Sequence, residues 1–96
     1  MPLFFVEHTH SAEACPTKSR DMMLMLGKHV TQPTADQFGV KIHADIVHPG
    51  EHRMMMVLEA SEQAKVDEYV KPFGMAGSVD VKPVVTCEVV VETAIC

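Results

Sequence analysis

No apolar run in this chain approaches the roughly 20 residues that a membrane-spanning helix needs, and the longest, such as Met54–Leu58, are short. Pro2–Val6 lacks the length, the basic flank and the small-residue cleavage site of a secretory leader, which predicts a cytoplasmic protein. Basic clusters are missing as well. Eight Lys and Arg stand against thirteen Asp and Glu, a formal charge of −5, so nucleic acid has no electrostatic footprint to bind. There is no Gly-rich phosphate cradle, nucleophile elbow, His-Glu-x-x-His zinc signature, calcium loop or Cys-x-x-Cys pair, which removes the common catalytic motif classes. Cysteine is scarce. Cys15, Cys87 and Cys96 are an odd number, read as thiols, metal ligands or a redox pair rather than a disulfide framework.

What is present is globular in balance. Hydrophobic residues at 47% and charged residues at 22% argue against disorder, and 96 residues hold one hydrophobic core, so residues 1–96 are expected to form a single domain. Histidine is the surplus: six, at positions 8, 10, 29, 43, 48 and 52, are the main functional clue.

Leu3 to His10 reads as a first strand, with Phe4, Val6, His8 and His10 on one face and Leu3, Phe5, Glu7 and Thr9 on the other. Cys15-Pro16 resembles a cap and first helical position. The helix it opens is expected to run to about Val30, with Ser19, Met22, Met23, Leu26 and Val30 as a core-facing stripe. After a break at Pro33 and Gly39, Val40 to His48 alternates as a second strand, placing Val40, Ile42, Ala44 and Ile46 on one side. Pro49-Gly50-Glu51 supplies turn chemistry and His52 to Glu59 a third strand. Ser61 caps a second helix with Ala64, Val66, Tyr69, Val70 and Phe73 on its apolar side, stopped near Pro72-Phe73-Gly74. Val79 to Val91 reads as a fourth strand, confined to an edge by Pro83, with a loose tail after Glu92.

The order strand, helix, strand, strand, helix, strand predicts an α+β, ferredoxin-like βαββαβ fold, a four-stranded antiparallel sheet with strands one and three central and two helices on one face. The other face would expose apolar side chains, so a homodimer through the open sheet face is expected. The opening Leu3-Phe4-Phe5-Val6-Glu7, His8-Thr9-His10 with Cys15-Pro16, and Pro72-Phe73 to Gly77-Ser78-Val79 resemble the small bacterial dimeric α+β barrel proteins. These include nickel-binding proteins of ferredoxin-like fold and several uncharacterised groups. The resemblance implies the fold and the dimer and carries no functional residue. The superfamily also includes cofactor-independent monooxygenases, haem-degrading enzymes and ligand-binding regulatory domains, so fold alone does not choose among functions.

The sharpest local pattern is His8-Thr9-His10 followed by Cys15. Two histidines one residue apart on a strand point the same way, and a thiolate at a helix start lies within reach, a donor set that suits Zn, Ni or Cu and not Ca or Mg. His43, expected at the same end of the sheet, is a candidate further ligand, so the expected metal site is His8, His10, Cys15 and His43. The same histidines can instead be merely solvated or bonded to a loop. His48 and His52 read as a solvated turn at the opposite end of the sheet from His10, and His29 as a helix C-terminal residue complementing the dipole. Cys87 reads as a small buried hydrophobe and Cys96 as incidental; Met22, Met23, Met25 and Met54, Met55, Met56 could suggest soft Cu(I), yet consecutive methionines on a strand alternate faces and cannot all meet one ion, so they read as core filling that can also line an adaptable pocket for a small apolar ligand. Glu7, Glu59 and Glu88 have no spacing that dictates acid–base catalysis. The reading favoured on these grounds is a transition-metal-binding dimer. The alternatives are a dimeric α+β barrel enzyme, monooxygenase-like or haem-binding, and a thiol-redox protein using Cys15.

Overall fold

The computed structural model describes residues 1–95; Cys96 lies outside them. Four strands, β1 (Leu3–His10), β2 (Lys41–His48), β3 (Arg53–Glu59) and β4 (Gly77–Val84), form one antiparallel sheet in the order β2-β3-β1-β4. The fold is α+β, with β1 and β3 central as expected and an arrangement consistent with a ferredoxin-like one. Alternation on β1 and β3 sorts the two faces. Phe4, Val6 and His8 and, opposite them, Leu58, Met56 and Met54 are buried, whereas Leu3, Phe5, Glu7, Met55, Val57 and Glu59 are half-buried on the other side.

The helices close over the first of these faces. Helix α3 (Gln63–Val70) follows Glu62, one residue later than the Ser61 cap expected, and buries Val66, Tyr69 and Val70; Phe73 follows in a 3-10 turn, Lys71–Met75. Tyr69 also ties α3 to α1 (Arg20–His29). Its hydroxyl donates to the His29 carbonyl at 2.9 Å, His29 Nε2 donates to the Tyr69 carbonyl at 2.6 Å, and the two rings stack 4.7 Å apart. A short α2 (Gln32–Asp36) buries Ala35.

Four expectations are corrected. Pro16 opens only a 3-10 turn, Pro16–Lys18, because Ser19 behind it is extended and its hydroxyl accepts from the Met22 N–H, making Ser19 the cap of α1. The methionines of α1 are not core: nothing on that helix is fully buried, Leu26 and Val30 lean on the core, and Met23 and Met25 are exposed. In β2 a bulge between Ile42 and Ala44 inserts one residue, so Ile42 faces the core while Ala44 and Ile46 face the open side. The fourth strand stops at Val84, and Thr86 caps a helix, α4 (Cys87–Thr93), by accepting from the Val89 N–H. Local capping outweighs the β preference of the valine run, and Cys87 is exposed at a helix start rather than buried beside valines.

At one end of the sheet β1 and β4 approach closely. A Cβ on Gly77 would collide with the Thr9 carbonyl, so glycine there lets the chain lie against the end of β1 where the histidines sit. No helix among the described residues is long and apolar enough to cross a membrane.

Candidate metal centre

His8 and His10 are on the helix-covered face, in line with Phe4 and Val6. His8 is 3% exposed. Its Nδ1 lies 3.0 Å from the Ser78 carbonyl, and its Nε2 lies 3.2 Å from Nδ1 of His10. A carbonyl can only accept, so His8 carries its proton on Nδ1 and presents a lone pair at Nε2. His10 must then donate from Nδ1. The chain Ser78, His8, His10 fixes the tautomer that leaves His10 Nε2 unprotonated, and this atom is buried with no hydrogen-bond partner.

Neutral rings are what the surroundings favour. Burial holds the His8 imidazole below the usual histidine range, only partly offset by the bond to Ser78. His10 is lowered by burial and then by the neighbouring His8 and His52 rings.

His52 meets His10 because β1 and β3 are antiparallel: the beginning of β3 lies beside the end of β1, and the His10 N–H donates to the His52 carbonyl at 3.1 Å. His52 ends the 3-10 turn Pro49–Glu51 in the left-handed conformation, φ 52° and ψ 44°, which few non-glycine residues adopt. The two rings sit edge to face, 5.2 Å between centroids.

Cys15 completes the group from the segment after β1. It precedes Pro16 as the cap residue of the 3-10 turn, and the Thr17 hydroxyl lies 3.0 Å from its sulfur. Hydrogen bonds from the Thr17 side chain and backbone, with a smaller contribution from the Lys18 charge, pull the thiol below its ordinary pKa against a small opposing effect of burial. Ligand atoms of His10, Cys15 and His52 all lie within 4.8 Å of one another. They border a cavity of about 380 Å³ whose other walls include Leu26, Val47, Pro49, Met54 and Phe73.

The structure thus brings His10 and Cys15 together, keeps His8 beside them in another role, and leaves His43 elsewhere. His8 has both nitrogens engaged and acts on His10 rather than joining the donors. His43 is a correction: β1 and β2 both run antiparallel to β3, so the start of β2 lies level with Leu3 at the far end of the sheet from His10, and on the open face there His43 Nε2 bonds Glu59 Oε1 at 2.8 Å. That bond, first among the causes, holds the Glu59 carboxyl below its usual range. His52, read from sequence as a solvated turn at the other end, is the residue that was missed. The signal was there, since β1 and β3 as antiparallel neighbours place residue 52 beside residue 10. His48 is exposed, 3.8 Å from Glu51.

Two histidine nitrogens and a thiolate are donors for borderline and soft transition metals, and three protein ligands leave a coordination position open toward the cavity. No curated protein and no solved structure matches this chain. A family model described as a domain of unknown function (DUF3303) matches residues 3–94, which takes in every strand, every helix and all three donors, and the chain belongs to that family.

Proposed function

We propose that this protein binds a transition metal ion through His10, Cys15 and His52, with His8 as the residue that sets the His10 tautomer. The observation that carries the reading is the bare, buried Nε2 of His10, with no partner of its own, on a residue whose ligand atom lies within 4.8 Å of those of a thiol and a second imidazole. Buried polar atoms are nearly always satisfied, so an orphan among metal donors argues for a missing ligand. Zn, Ni and Cu are the candidate ions by donor type. The apolar cavity beside the open position has room for a small apolar ligand.

The same proposal includes a homodimer through the open sheet face. There Phe5, Met55, Val57 and Ile46 form an apolar centre, and Lys41, Arg53 and Lys82 balance Glu7, Glu59 and Asp80 around it. A neutral surface on a chain of charge −5 is the one that a second copy meets with least repulsion.

The test is elemental analysis by plasma mass spectrometry after gel filtration, on tag-free protein and on a His10→Ala/Cys15→Ser/His52→Ala variant. Near-stoichiometric metal in the parent, lost in a variant that elutes identically, is the expected result. A parent that stays metal-free after anaerobic reconstitution with each of the three ions overturns the reading.

A further inference from the structure

Resting on the proposed metal centre, we infer that its ion is copper(I) and that the thioether of Met54 is its fourth donor. Met54, Met55 and Met56 are consecutive on β3, so alternation lets only alternate members face the helix side. Met56 lies opposite Val6 in the core, and Met55 is turned to the open face. Met54 lies opposite His8, which makes it a diagonal neighbour of His10 and puts it two residues from His52; it is 7% exposed and lines the cavity the donors share. Diagonal neighbours on one face of a sheet are about 7–8 Å apart, within reach of a long side chain.

The rest of the wall selects the charge of the ion. Among the described residues no carboxylate lines this cavity, so the side chain offered for a fourth position is a soft thioether rather than a charged oxygen donor. One thiolate and a monovalent ion sum to zero, whereas a divalent ion leaves a net positive charge among Leu26, Val47 and Phe73. Thiolate, two imidazoles and a thioether are a soft donor set of the kind that copper accepts.

The experiment is an anaerobic titration of Cu(I) against the chromophoric chelator bicinchoninate, beside a Zn(II) titration, on the parent and Met54→Leu. Leu keeps the buried volume close to that of Met. Loss of at least about tenfold in Cu(I) affinity with Zn(II) affinity changed by less than about twofold is the expected result. Equal losses for both ions, or no loss for Cu(I), overturn the assignment of Met54 and leave the three-donor centre standing. A parent that binds neither ion overturns the centre as well. X-ray absorption on selenomethionine-labelled parent loaded with Cu(I) reads the bond without a substitution: a copper–selenium contact at bonding distance is expected, and its absence overturns the inference even if Met54→Leu fails to fold.

Discussion

Replacing His8 separates a positioning histidine from a ligating one. In His8→Phe the ring shape is kept and the new side chain still packs on Phe73, whose ring lies 5.6 Å from that of His8, so the core is preserved. What disappears is the acceptor for His10 Nδ1–H, at 3.2 Å, and with it the reason for His10 to keep Nε2 free. Partners one bond removed from a metal are worth about 10–100-fold in affinity, or about 1.4–2.8 kcal/mol. An unsatisfied buried donor costs about 1–3 kcal/mol, a comparable size reached independently. His8→Gln provides the control, since its amide can donate to the Ser78 carbonyl and accept from His10. Competitive titration of Zn(II) or Cu(I) against a chromophoric chelator is expected to rank the parent and His8→Gln together and His8→Phe about 10–100-fold weaker, with His10→Ala weaker still. Parent-like affinity in His8→Phe refutes the tautomer argument. Equal losses in Phe and Gln variants show that shape, not hydrogen bonding, is what His8 supplies.

Two further outcomes follow from titrating groups. His8 and His10 are held below the ordinary histidine value of 6.5, so the unfolded chain takes up protons first; the stability they contribute is complete above 6.5 and is lost as pH falls from there through their lowered values. Thermal unfolding of metal-free protein between pH 7.5 and 5 is expected to show that decline, flattened in a His8→Phe/His10→Phe variant; the same slope in both proteins contradicts it. Tyr69 is the single tyrosine, and burial first, then the Asp45 charge, push it up to about 12. Tyrosinate absorbance should therefore appear well above pH 10 or only with unfolding, and Tyr69→Phe, which strips the His29 carbonyl of its donor, should cost about 1–3 kcal/mol in urea denaturation.

Element order and central strands were legible in the sequence because they depend on period-two alternation and on turn residues, which act locally. The course of Leu3 to His10 and of the Pro49-Gly50-Glu51 turn needed nothing else. What was not legible depended on competition. Val89-Val90-Val91 carries a β preference that a single Thr86 cap overrides, and the pattern Val40, Ile42, Ala44, Ile46 looks unbroken although a bulge divides it. Strand direction decides the place of His43: β2 runs the same way as β1, so its start lies beside Glu59 and Leu3 and away from His10. The nearness of Cys15 to His10 was legible in their spacing, whereas that of His52 was not, because a histidine beside Pro-Gly reads as solvent-facing until the strand pairing is applied to it.

The three donors are not held alike. His10 and His52 are joined through their own backbones by the β1–β3 pairing, and His10 is further oriented by His8 and Ser78. Cys15 belongs to a segment whose hydrogen bonds are local: Ala14 bonds to Ser11, the Lys18 N–H donates to the Cys15 carbonyl, and its sulfur meets Thr17. In the proposed centre, two imidazoles preset by a sheet and a thiol on a local turn would make a site mostly formed before an ion arrives and closed by its softest ligand. Ordering a short turn is a small entropic cost beside assembling a site from an unfolded chain, so under the proposed function the binding energy of a metal would go mainly into affinity rather than into folding. The sheet also keeps this chemistry apart from assembly. Period-two alternation commits Phe4, Val6, His8 and His10 to the covered face and leaves Phe5, Met55 and Val57 to the other, so a partner seated on the open face does not reach the donors.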